Sequence, residues 1–274
     1  MHGLVLVAGK YQKLSPRPPP PFIVLEGRTI FEWQLLALKQ VCDTVTVVLG
    51  RGFVDNKDEN RSWETPSPFR GRVTVRQNGI RNSLPHVHER KVRAFIGDGH
   101  GVDVSVVVVP DWEDIGTAAC LRRGLADITG HLLVLEGLTI IRPATIEGFV
   151  AEWESRLSEK EWSVVGIRPG PQESGQAVCW NVDGTITGYG RVSGHDVVGL
   201  YLIHGRHLQL AEHILRSCTE QSIPVLLPSI ETTYLPVPAS DYQEIETPED
   251  YRVATQMVRS WDGHPTDRHP PSSR

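Results

Sequence analysis

Apolar residues in this chain fall into short unbroken runs, separated by longer stretches in which they recur at helical spacing. Residues 3–9 read GLVLVAG. A run this short, rich in Val and Leu and closed by glycine, predicts a buried parallel strand entering a tight loop. Residues 27–41 carry apolar positions at helical spacing, with Gly27 and Thr29 as start signals, and predict a helix. Residues 44–50 (TVTVVLG) predict a second buried strand. Strand, helix, strand at this spacing is a right-handed βαβ unit, which implies a parallel sheet.

The pattern continues in the same sense. Residues 102–110 form the most β-branched run and predict a third strand. Residues 111–128 predict a helix, capped by Asp114, with an apolar stripe of Ala118, Leu121, Leu125 and Ile128. A strand follows from 131, ending at Glu136-Gly137, and then a helix over 143–157. Three further segments (161–169, 176–190 and 197–203) predict strands, with Asp183-Gly184 as a hairpin turn. Residues 206–218 predict an amphipathic helix, and His204, His207 and His213 read as surface or boundary residues of it. Thr247-Pro248-Glu249 starts the last helix, with proline at the first helical position and acids in the first turn. The fold class expected is α/β, with a mainly parallel sheet, flanking helices and late β-hairpins. One domain is expected over 1–260, with a long insertion at 51–102 and a tail at 261–274 that is disordered by composition.

The insertion breaks the pattern. It has little periodicity beyond a short strand at 72–76, and it carries Arg70, Arg72, Arg76, Arg81, Arg90, Lys91 and Arg93. It reads as a solvated insertion, or as a lid or partner surface over an anionic substrate. His86, His88, Asp98 and His100 have the chemistry of metal ligands, but no regular element fixes their geometry.

Composition narrows the class further. A net charge of −5 provides no global basic field for nucleic acid. Cys42, Cys120, Cys179 and Cys218 are far apart and form no C-x-x-C pair, which fits a reducing compartment rather than a zinc site or disulfide scaffold. Met1-His2 carries no basic leader region, and no stretch approaches ~20 apolar residues, so cytoplasmic placement and no membrane contact are expected. Self-association into a homo-oligomer is left open.

Candidate chemistry concentrates in the first thirty residues. The predicted first strand leads into a loop with Lys10, Lys13 and Arg17, and then into the first helix. This layout brings backbone N–H groups and positive charge to a phosphate at the carboxyl end of a sheet. VAGKYQKL and VLEGRTIFEW resemble the opening of the sugar-phosphate nucleotidyltransferase family, whose pattern runs AAG-x-G-x-R-L and then V-x-G-x-P-L-I-E-W. Ala8, Gly9, Leu14, Gly27, Glu32 and Trp33 match. Tyr11 replaces the second glycine, Lys13 the arginine, and Pro20 the proline-flanked lysine.

Later blocks carry the same resemblance. Gly116-Thr117 match a helix start that, in the family, lets backbone groups approach the nucleotide base. Leu138 occupies the place of a metal-binding aspartate, with Glu136 two residues earlier. Glu246, in QEIETPEDY, stands at a second metal-ligand position, and Arg191 lies near a lysine that contacts the acceptor phosphate.

The resemblance implies a Rossmann-like fold of the nucleotide-diphospho-sugar transferase type. It implies transfer of a nucleoside monophosphate from a nucleoside triphosphate to a sugar phosphate or similar phosphorylated or phosphonate acceptor, with release of pyrophosphate. Lys13 and Arg17 are the expected catalytic cations. Ala8, Gly9, Lys10, Gly116 and Thr117 are the expected nucleotide contacts, Arg191 the acceptor contact, and Glu246 and Glu136 the ligands of Mg²⁺. The departures leave a second reading open, a catalytically impaired nucleotide-binding pseudoenzyme acting as a regulatory or scaffolding subunit. A glycosyltransferase of the related fold is a third, disfavoured by the lack of D-x-D at a strand end.

Overall fold

β1 (His2–Leu6) lies near the middle of the sheet, and its side chains alternate between two cores. Leu4 and Leu6 pack on one face, Val5 and the following Val7 on the other, all without solvent exposure. Burial on both faces is why the run is continuous in apolar residues. The computed structural model describes residues 1–7, 23–50, 73–77, 102–109, 116–172, 177–217 and 222–261.

A small ribbon, β2 (Val24–Leu25) with β3 (Arg28–Thr29), feeds α1 (Ile30–Leu38). The start signal at Thr29 is a capping box. Its hydroxyl accepts from the Glu32 N–H at 3.1 Å, and its own N–H donates to Glu32 Oε2 at 2.7 Å. Then come β4 (Thr44–Gly50), β5 (Val73–Gln77) and β6 (Asp103–Val109). β4 runs parallel to β1, β6 parallel to β4, and β5 parallel to β6 at the sheet edge.

After α2 (Thr117–Gly124) the chain crosses back. β7 (Leu132–Glu136) pairs with the other side of β1, also parallel. The order of strands therefore reverses between β1 and β7, and a crevice opens beyond their carboxyl ends. Helix α2 can lie this close to the sheet because Gly124 has no side chain: a Cβ there would meet Leu4 Cδ1 at 2.5 Å.

The second half adds β8 (Thr139–Ile141), α3 (Pro143–Arg156), β9 (Ser163–Gln172), β10 (Ala177–Trp180), β11 (Ile186–Gly190) and β12 (Gly194–Ile203). β12 is antiparallel to β7, β9 and β10, and β10–β11 is the expected hairpin. α4 (Leu208–Ser217), β13 (Thr232–Pro236), β14 (Tyr242–Glu244) and α5 (Pro248–Ser260) complete the described chain. β13 pairs parallel with β9, and β14 forms a separate antiparallel ladder with β8.

Helices cover both faces. α1 and α3 pack on one through Phe31, Leu35, Ile146, Phe149 and Trp153. α2 and α4 pack on the other through Ala118, Leu121, Ala211 and Leu215. A third apolar cluster joins α1 to α5 through Leu25, Trp33, Leu138, Ile245 and Val258.

Of the insertion at 51–102, only the short strand β5 and Val102 fall among the described residues, and Asp114 falls outside them. The tail expected from 261 begins one residue too early. Trp261 is buried, and its ring meets Trp33 edge-on at 5.8 Å between centroids. Residues 262–274 lie outside the described residues. No described helix is long and apolar enough to cross a membrane.

Candidate functional site

β7 pairs with β1 so that Glu136 stands beside Leu6, at the carboxyl ends of both strands. Glu136 is held from two directions. The Tyr201 hydroxyl donates to its Oε2 at 2.7 Å. The Thr117 side chain, at the start of α2, hydrogen-bonds the same carboxyl. Burial pushes this carboxyl up from the carboxylate range, and the two hydroxyls pull it back. Burial and the Glu136 charge together drive the Tyr201 phenol well above its ordinary value. Gly116 is the N-cap of α2 and supplies no side-chain acceptor, so the first turn of the helix is not closed by a side chain of its own.

Leu138 has a different fate. It is 1% exposed and packs in the third apolar cluster with Trp33, Ile140 and Ile245. Gly137, with φ at +63, turns the chain between the two residues. The Gln34 amide clamps this turn by donating to the carbonyls of Gly137 at 2.9 Å and Thr139 at 3.1 Å. The position matching the family aspartate is therefore a core position here.

A cleft of about 360 Å³ lies alongside, lined by Arg168, Ala239, Tyr242, Gln243, Glu244, Glu246 and Asp250. Glu246 is exposed in the loop before α5, and its N–H donates to Asp250 Oδ2 at 3.1 Å. Asp250 also closes a capping box with Thr247 at the helix start expected there. Glu244 opens to the cleft by area, yet its carboxyl is pushed up to about 7 by surrounding protein and by Glu246, Glu136 and Asp250, against the pull of Arg168.

Arg168 ion-pairs with Asp196, and its Nε is buried without a hydrogen-bond partner. Among the described residues it is the cation that lines the cleft. Arg191 is exposed in the bend between β11 and β12 and is not among the lining residues. Ala8, Gly9, Lys10, Lys13 and Arg17 lie outside the described residues. Among the described residues, no three His, Cys, Asp or Glu side chains are grouped as a ready metal cage.

Sequence reading missed Glu244, Arg168 and Tyr201. Glu244 alternates with Glu246 across buried Ile245, a polar-apolar-polar signal that was available. Arg168 and Tyr201 sit in ordinary strand runs, and only the sheet register brings them to the crevice.

His131, His204 and His207 cluster at the amino end of β7, the end away from the crevice. His207 is 5% exposed, not a boundary residue as expected, because its Nδ1 is 2.8 Å from Ser163 Oγ and its Nε2 accepts from Arg206 Nε at 3.1 Å. Ser163 is itself 1% exposed and takes the His204 N–H at 3.0 Å, so the pair ties the start of β9 to the turn after β12. His213 is exposed on α4, as expected.

The crossover at β1 and β7, with helices on both faces and an antiparallel extension, defines a nucleotide-diphospho-sugar transferase fold. The inositol-1-phosphate CTP transferase from T. maritima superposes with a TM-score of 0.63 at 16% identity, over 94% of this chain and 96% of that one. UDP-glucose pyrophosphorylase complexed with UDP-glucose gives 0.62 at 12% identity, over 94% and 98%. In sequence, 91 residues, 32% of this chain, are 31% identical to 2-C-methyl-D-erythritol 4-phosphate cytidylyltransferase of Thermotoga neapolitana. The chain matches 41% of the length of that relative. No family model matches. The resemblance read from the opening motif thus recurs in both sequence and fold: the chain is similar to nucleotidyltransferases.

Proposed function

We propose that the protein is a nucleotidyltransferase. It moves a nucleoside monophosphate from a nucleoside triphosphate to a small phosphorylated acceptor and releases pyrophosphate. The observation that carries this reading is the placement of Glu136 at the carboxyl ends of β1 and β7, where its carboxyl is hydrogen-bonded by the Thr117 side chain at the start of α2. In open α/β sheets ligands bind at such a reversal of strand order.

The steps follow from the residues. An acceptor phosphate oxygen attacks the α-phosphorus, and the bond to the leaving pyrophosphate breaks. Such chemistry needs position and charge neutralisation more than covalent help. Lys13 and Arg17, with Lys10, neutralise the triphosphate. Ala8-Gly9 and the turn at Gly116-Thr117 hold the nucleotide through backbone groups. Arg168, in the cleft wall, and Arg191 are the cations for the acceptor. Mg²⁺ is commonly held by one or two carboxylates together with substrate phosphates. Glu244 and Glu246, hard oxygen donors that line the same cleft, fit that ion and would hold it; Glu136 is already engaged by two hydroxyls. When bound, the ion supplies charge neutralisation on the triphosphate.

The test is pyrophosphate release with each of the four ribonucleoside triphosphates against a panel of sugar, polyol and amino-alcohol phosphates. CTP comes first, because the sequence relative is a cytidylyltransferase. Turnover with one triphosphate, abolished by Lys13→Ala at unchanged melting temperature, is expected. A protein that neither binds nor turns over any of the four overturns the reading.

A further inference from the structure

We infer that Glu136 is a positioning residue: braced by the Tyr201 hydroxyl, it fixes Thr117 and with it the first turn of α2 for nucleotide binding. The inference rests on the nucleotide site proposed at that turn.

Three elements meet at one carboxyl. Tyr201 reaches Glu136 from β12 at 2.7 Å, and Thr117 reaches it from α2. Tyr201 is 1% exposed, so its ring is locked by packing and its hydroxyl has one direction to point. β12 makes room for this with a bulge opposite β9, where Gly199 sits at φ +69. A Cβ on Gly199 would meet Glu136 Cβ at 3.4 Å and Thr139 Oγ1 at 3.0 Å. The carboxyl is thus enclosed by groups that fix its rotamer. Thr117 is the first residue of a helix whose N-cap, Gly116, contributes no side chain. With no cap of its own, the turn takes its anchor from Glu136, and a displaced Thr117 would carry the adjoining N–H groups away from a bound nucleotide. Small misplacements of positioning groups have large effects on binding and rate.

This role differs from that of a metal ligand, and two variants separate them. Tyr201→Phe removes only the brace. Glu136→Gln keeps the shape but can no longer accept from both hydroxyls through charged oxygens. The measurements are titration with CTP, or with whichever triphosphate supports pyrophosphate release, in EDTA, and separately the Mg²⁺ concentration giving half-maximal turnover. Both variants are expected to weaken nucleotide binding by about tenfold, the size of a lost hydrogen bond to a charged group, and to leave the Mg²⁺ midpoint within about twofold. Thr117→Val should reproduce the loss, and Thr117→Ser should retain wild-type affinity.

Wild-type affinity in Tyr201→Phe with a lowered melting temperature would make the contact structural only and overturn the inference. So would a raised Mg²⁺ midpoint in Glu136→Gln alone, which would make Glu136 a metal ligand. If the wild type binds no triphosphate at all, the reading of the site has failed. That outcome is distinct from a wild type that binds and variants that match it.

Discussion

Glu244 stands directly opposite Thr139 in the β8–β14 ladder, with Gln243 opposite Ile140 and Tyr242 opposite Ile141. This pairing ties a three-residue strand near the end of the chain to the turn that follows β7. It sets a carboxylate from residue 244 beside the place where the family resemblance calls for one at 138.

Glu244 should report itself through pH. Its folded value of about 7 lies above the ordinary carboxylate value of 4.5. The folded state therefore holds the proton to higher pH than the unfolded chain. The stability from this group is fully present below the unfolded value and is lost as pH rises through about 7. Glu244→Gln removes that loss, so its melting temperature should gain on the wild type between pH 5 and pH 8. Parallel curves for the two proteins would show that the carboxyl is not crowded.

Leu138→Asp tests the core assignment. An aspartate there would strand a carboxylate among Trp33, Ile140 and Ile245. Lost burial and an unpaired buried charge together should cost more than about 3 kcal/mol in urea unfolding. A well-folded variant with new Mg²⁺ binding would show that the turn can present residue 138 to the crevice.

His207 predicts acid sensitivity. Burial, with help from Arg206 and His204 and opposed by Glu161, lowers it from 6.5 to about 4. The folded state holds this histidine neutral, so stability is present above pH 6.5 and falls as pH drops toward about 4. The loss is at most on the order of 3 kcal/mol. His207→Gln, measured by thermal unfolding from pH 7.5 to pH 4.5, should flatten this decline, and an unchanged slope would assign it elsewhere.

Gly199→Ala should destabilise by roughly 1–2 kcal/mol, the cost of a left-handed backbone in a residue with a Cβ. The Cβ would also press on Thr139 Oγ1 at 3.0 Å. A neutral result in chemical denaturation would mean that the bulge in β12 relaxes freely.

The parts of the fold that one local pattern decides were legible in the sequence. β4 occupies the run TVTVVLG, and helices start at Thr29 and Thr247 as their residues suggest. Pairings that depend on distant partners were not. β8 and β14 are three residues each and carry no period, so each is a strand only because the other lies beside it. β13 was missed because TTYLP ends in proline beside a parallel partner that the sequence does not name. At the site, Thr117 and Glu136 were readable from motif and position. Tyr201 was not, because its link to Glu136 spans 65 residues and exists only through the register of β12 on β7.

The β8–β14 ladder also bears on synthesis. A growing chain that has reached Pro236 already contains every described strand of the central sheet, yet it lacks Tyr242, Glu244, Glu246 and the Trp261 ring that covers Trp33. On the ribosome the scaffold is thus specified well before the cleft. A chain ending at Pro236 would leave an apolar seam along α1 exposed, because Ile245, Ala254, Val258 and Trp261, which pack against Ile30, Trp33 and Leu36, would be missing. The acidic wall arrives together with the segment that seals that seam, so any chemistry at this cleft becomes available only after the α1 surface is closed.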